Sequence, residues 1–136
     1  METTRQLPRG PGRRFLIVDD DESIALLLER LLGTHGDHAR VVTTGEQALA
    51  ELEEGSWDAM VADVRLPGMT GLELTARARL ARPHLPIVVM TADVSVDVEG
   101  EARRSGADAF MAKPFSPRAL KARVHQLTSP GESQAS

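Results

Sequence analysis

Five short, largely apolar runs punctuate this chain at nearly even spacing, and between each pair lies a stretch whose apolar residues recur at helical intervals. The first run is Phe15-Leu16-Ile17-Val18, and the others cover residues 39–43, 58–63, 87–91 and 108–112. Runs this short and this apolar suit strands buried on both faces. The first intervening stretch sets Ile24, Leu27, Leu28 and Leu31 at helical spacing, with Asp21 or Ser23 to cap it and Gly33 or Gly36 to stop it. The second carries Ala48, Leu49 and Leu52, opens at Thr44 or Gly45 and ends at Gly55. Residues 72–81 and 96–105 read as the third and fourth helices. Ser116-Pro117 caps the fifth, whose Leu120, Val124 and Leu127 form one apolar face. Strands alternating with helices imply right-handed βαβ units and a parallel sheet covered on both sides.

At 136 residues the chain suits one domain, expected over residues 14–128. Residues 1–13 read as a disordered arm and residues 129–136 as a flexible tail. The net charge of −4 is unevenly spread, because Arg5, Arg9, Arg13 and Arg14 face only Glu2 in the first 14 residues. A short basic arm could touch nucleic acid or an acidic partner, although a solvated leader is the plainer reading, and the acidic body argues against DNA binding. Cysteine is absent, which excludes disulfides, thiolate metal sites and a cysteine nucleophile. No apolar run approaches a membrane span, so the expectation is a cytoplasmic protein.

In open sheets of this kind, ligands bind beyond the carboxyl ends of the strands. The first strand ends in Asp19 and Asp20, the third in Asp63 and the fourth in Thr91, while Lys113 follows the fifth. Three carboxylates that converge repel one another and need a cation between them. Oxygen donors without histidine or cysteine favour a hard ion, and Mg²⁺ suits few carboxylates plus phosphate and water. Lys113 can neutralise phosphoryl oxygens, Thr91 can donate to one, and Asp63 is placed as a nucleophile that becomes an acyl phosphate. Taken singly, each residue has a plainer reading: acids at a helix start, a turn aspartate, a loop hydroxyl, a solvated lysine. Their joint placement carries the argument.

From Phe15 to about Leu127 the chain resembles the receiver domain of two-component response regulators. Asp19-Asp20 match the family's acidic pair, Asp63 in DAMVADVRLPGMTG its phosphorylated aspartate, Thr91 in VVMTA its switch hydroxyl and Lys113 in MAKPF its lysine. The resemblance implies a flavodoxin-like (βα)5 fold with strand order 2-1-3-4-5. It also implies Mg²⁺ held by Asp20, Asp63 and the backbone carbonyl of Arg65, with Asp19 acting through water. Phe110 falls at the aromatic switch position. The implied partners are a histidine kinase or histidine phosphotransfer protein, then an effector or a second copy. The effector or second copy would bind the face of the fourth helix, fifth strand and fifth helix, which is expected to carry Phe110, Arg118, Lys121 and Arg123.

Thr70 departs from the aspartate common before Gly71, which should alter loop capping only. Arg65 and Asp93, each two residues beyond a site residue, are expected to pair across the rim and tune phosphoryl lifetime. No output domain is expected after Leu127, so action runs through a partner, and the chain is no enzyme beyond its own phosphoryl transfer and autodephosphorylation. Three rivals stand beside this reading. A Mg²⁺-dependent aspartyl phosphatase would want an acid where Arg65 stands. A flavodoxin-type electron carrier would want a glycine- and hydroxyl-rich loop after the first strand. The third is a receiver-like module that works without phosphorylation.

Overall fold

The computed structural model describes residues 12–93 and 95–128, so the expectations for the arm up to residue 11 and for the tail from residue 129 lie outside the described residues. The five apolar runs become strands β1 (Arg14–Val18), β2 (His38–Val42), β3 (Ala59–Asp63), β4 (Ile87–Thr91) and β5 (Ala109–Ala112). Between and after them lie helices α1 (Glu22–Leu32), α2 (Gly45–Glu54), α3 (Gly71–Ala81), α4 (Val96–Ser105) and α5 (Pro117–Leu127). All strand pairs are parallel and the order is β2-β1-β3-β4-β5, as expected for a flavodoxin-like sheet. Among the described residues no helix is long and apolar enough to cross a membrane.

Side-chain alternation divides the core into two layers. Leu16, Val18, Met60, Ala62, Ile87 and Val89 face Ala48 and Leu52 of α2, Leu74 and Ala78 of α3 and Ala102 of α4. Phe15, Ile17, Ala59, Val61, Val88 and Met90 face Leu28 and Leu32 of α1 and Leu120 and Val124 of α5. Because both faces are covered, the inner strands β3 and β4 are buried throughout and apolar up to their last residues, whereas the edge strand β2 is exposed or half-buried up to Val42. Strand order reverses between β1 and β3, because β1 leads out to β2 on one side and β3 to β4 on the other, so the carboxyl ends of β1 and β3 lie side by side over a crevice.

β1, β2 and α3 start one residue earlier than the sequence suggested and β3 and β5 one residue later, the last two because of a repeated device at the edge where strands begin. Asp37 accepts the N–H of Arg13 at 2.9 Å, Asp58 that of Arg14 at 2.8 Å, and Asp108 that of Ile87 at 2.8 Å. Each aspartate stands just before its strand and caps the N–H of the neighbouring one, so Asp58 and Asp108 lie outside β3 and β5. β2 begins at His38, whose N–H bonds Arg13 O, and stops before Thr43, whose N–H and hydroxyl both bond the Gln47 side chain. α1 is capped by Asp21 and closed by Gly33, whereas Gly36 lies in the following turn with φ 87°. Lys121 also departs from expectation. Its Nζ donates to Thr34 Oγ1 at 3.0 Å, so it ties α5 to the end of α1 rather than serving the β5 face.

Arg79 reinforces the β4–β5 clamp, donating to Gly106 O, Pro83 O, Leu85 O and the Asp108 carboxylate. Replacing Asp108 by Ala strands both Ile87 N–H and part of this guanidinium. We expect a loss of about 1–3 kcal/mol, read by urea denaturation, and a smaller loss for Asp108→Asn, which keeps one acceptor.

Candidate functional site

Each member of the site is delivered by a strand end. Asp19 follows β1 directly, and its N–H continues the ladder to Val42 O at 3.1 Å. Its carboxylate is almost fully buried and accepts the Asp21 N–H at 2.9 Å, a bond that turns the chain from strand into α1. Asp20, between them, is exposed. Asp63 is the last residue of β3, buried, with Oδ2 accepting the Arg65 N–H at 3.1 Å. Lys113 sits just past β5, where its N–H bonds Thr91 O at 2.8 Å and a cis peptide joins it to Pro114.

These placements bring the side chains together. Lys113 Nζ lies 2.8 Å from Asp63 Oδ1 and 3.4 Å from Asp19 Oδ2. Carboxylate oxygens of Asp19, Asp20 and Asp63 lie within 4.8 Å of one another. They open onto a cleft of about 690 Å³ also lined by Arg65, Pro67 and Thr70. Thr91 is buried at the end of β4, and its Oγ1 accepts the Asp93 N–H at 3.0 Å, which leaves its own proton to donate. Phe110 pairs with Val89, two residues before Thr91, and packs half-buried against the layer containing Ala102 of α4.

The electrostatics are those of a site built around a cation. Burial would lower the Lys113 ammonium, but its hydrogen bond to Asp63 and the charges of Asp63 and Asp19 outweigh this and raise it above 10.5. Burial pushes the Asp19 carboxyl above its ordinary range. The Asp21 N–H and Lys113 oppose that shift, and the charge of Asp63 adds to it. Carboxylates kept this close and this dry suit an additional positive charge, and the all-oxygen donor set fits a hard divalent ion.

The loop after β3 shows what the sequence left unseen. Gly71 N–H bonds Val64 O at 2.8 Å, and a Cβ on Gly71 would collide with the backbone carbonyl of Asp63. Only glycine lets α3 start directly against the end of β3. Thr70 does take over the capping expected of an aspartate, forming a full capping box with Glu73. The expected pair of Arg65 with Asp93 does not form. Asp93 Oδ1 instead accepts the Ser95 N–H at 3.0 Å, because the start of α4 offers a partner two residues away. Arg65 lines the cleft, and among the described residues its ion pairs do not include Asp93.

Two measurements check this geometry. Gly71→Ala should destabilise by about 1–3 kcal/mol in chemical denaturation, because the new Cβ displaces backbone rather than a flexible side chain. Asp19→Asn should stabilise the protein in a chelator at neutral pH. The raised carboxyl makes ionisation costlier folded than unfolded, so wild type loses stability as pH rises above 3.8. The advantage of Asn should shrink as thermal melts are taken toward that pH, and a constant difference would contradict the assignment.

Comparison with known proteins agrees with the geometry. The family model for the response regulator receiver domain matches residues 15–125. The transcriptional regulatory protein TcrA of Mycobacterium tuberculosis is 37% identical over 96% of this chain and 54% of its own length. The chain thus spans about half the length of the curated relatives it matches. A putative response regulator from Chloroflexus aurantiacus superposes with TM-score 0.80 at 36% identity, covering 86% of this chain and 98% of that one. The receiver domain of the sensor histidine kinase PA1611 from Pseudomonas aeruginosa, solved with a magnesium ion in its active-site cleft, superposes with TM-score 0.79 at 26% identity, over 86% of this chain and 98% of its own. A sheet in the order 2-1-3-4-5, an acidic crevice at its switch point and a family match over most of the chain lead to one conclusion: this chain belongs to the receiver domains of two-component response regulators.

Proposed function

We propose that this chain is a phosphorylation-controlled switch that accepts a phosphoryl group on Asp63 from the phosphohistidine of a histidine kinase or phosphotransfer protein. One observation carries the reading: Lys113 Nζ contacts both Asp63 and Asp19 inside a cleft of three converging carboxylates. The Asp63 oxygen attacks phosphorus as the P–N bond of the donor breaks, and the histidine leaves with the electron pair. The Arg65 N–H and Lys113 hold the two oxygens of the nucleophile apart, so that one can turn to the incoming group.

Asp19, Asp20, Asp63 and the Arg65 carbonyl would hold Mg²⁺, whose charge offsets that gathered on the transferring phosphoryl oxygens. The donor set fits, and the magnesium seen in the PA1611 receiver supports the same assignment here. Lys113 then has a phosphoryl oxygen to bind in place of Asp63, and the free proton of Thr91 has an acceptor. A Thr91 drawn toward the phosphoryl no longer holds the Asp93 N–H in the same way, which couples the site to the start of α4. The face of α4, β5 and α5, with Phe110 and Arg118, is thereby placed to bind an effector or a second copy. Arg65, facing the cleft without Asp93, is the residue placed to tune phosphoryl lifetime.

On this reading the chain turns over no substrate besides its own phosphoryl group, works in the cytoplasm and acts on proteins. Its acidic body supports a protein partner over direct contact with DNA. Incubation with acetyl phosphate and Mg²⁺ should add the mass of one phosphoryl group, with no gain in a chelator or in Asp63→Asn. Lys113→Ala should slow uptake by about tenfold or more. Label retained by Asp63→Asn would place the acceptor elsewhere.

A further inference from the structure

At the edge where the strands begin, far from the cleft, one buried carboxylate stands between an arginine and a histidine. Asp37, its side chain 3% exposed, accepts the Arg13 N–H at 2.9 Å through Oδ1. Its Oδ2 stands 3.8 Å from Arg13 Nη1 and 3.7 Å from His125 Nε2, nearly midway between them. His125 lies in the last turn of α5, with its ring 6.0 Å from that of Phe15 in β1. One turn earlier, Lys121 bonds Thr34 beside the same corner. The end of α5 is therefore fastened to the α1–β2 loop through Thr34 and Asp37 and to the start of β1 through Phe15.

We propose that Asp37, Arg13 and His125 form a proton-driven exchange, in which acidification moves the carboxylate's partnership from Arg13 to His125 and resets the last turn of α5. A proton on the imidazole sets two cations against one carboxylate, and the more mobile one yields. The two side chains are about equally exposed, at 29% and 30%, but Arg13 precedes β1 on a long side chain that can swing into water while its N–H stays on Oδ1. His125, packed on Phe15 at the base of α5, has no such freedom.

The groups facing the imidazole are Arg13 from the start of β1, Asp37 and His35 from the α1–β2 loop, and Lys121 from its own helix. Burial first, then the charge of Arg13, hold the imidazole below 6.5. Asp37 opposes this, and Lys121 and His35 add to it. The sign follows: the contribution of neutral His125 is present above 6.5 and is lost as pH falls through its lowered folded value. The exchange needs no phosphoryl group on Asp63, so it stands apart from the reading above while acting on the same helix α5.

The test is an NMR titration of the histidine rings, combined with hydrogen exchange of amides 124–128. Thr128 N–H, bonded to Val124 O and His125 O, is the direct reporter. The His125 midpoint should rise by about half a pH unit or more in Arg13→Gln and fall by about as much in Asp37→Asn, which keeps an acceptor for the Arg13 N–H. Corrected for intrinsic exchange, protection of these amides should drop about threefold or more between about pH 7.5 and about pH 5.5 in wild type, and not in His125→Gln. A midpoint unmoved by Arg13→Gln, or an equal drop in His125→Gln, overturns the proposal.

Discussion

The contact between Lys113 and the buried pair Asp19 and Asp63 is the interaction around which the rest of the site is arranged. Each carboxylate ends a central strand, and a fold that buries β1 and β3 side by side has no way to keep these charges apart. The ammonium, reaching in from beyond β5, answers part of that repulsion at 2.8 and 3.4 Å. One positive charge does not balance three negative ones. The repulsion that remains is what suits the cleft to a further positive charge.

The same residue type does opposite work at the two edges of the sheet. Asp37, Asp58 and Asp108 spend their oxygens on backbone N–H groups of neighbouring strands and close that edge. Asp19 and Asp63 each accept one local N–H and keep oxygens turned to the cleft, while Asp20 is exposed. The difference is polarity. In a parallel sheet, N–H groups are left over where strands begin, and a preceding aspartate satisfies them. At the carboxyl ends, acids have few backbone donors to meet and remain available to ligands.

Most of the fold was legible because both faces of the sheet are buried, so its strands are apolar runs that helical periods cannot mimic. The bounds of β4 and α4 were read directly, and those of β2, β3 and β5 shifted by a residue where side chains displaced ladder bonds. The site residues were legible because strand ends are easy to locate and each carried a chemically apt group. Gly71 was not, since nothing in the word Thr-Gly reveals that the Asp63 carbonyl lies against it. The Arg65–Asp93 pair failed for the complementary reason: opposite charges near one rim say nothing about the helix start that captures Asp93 first.

By itself, then, the sequence determined the order of elements, the doubly covered parallel sheet and the identity of the groups that meet at its carboxyl edge. Those properties follow from hydrophobic period and chain direction, which are local. The tertiary structure alone decided which oxygen of which carboxylate meets Lys113, that Thr91 keeps a proton to give, and that Lys121 serves α1 rather than the β5 face. It also placed His125 and Arg13 on one carboxylate, although more than a hundred residues of chain separate them. Such partnerships depend on crossings between distant segments and on competition for the same acceptor, and neither is written in the spacing of residues.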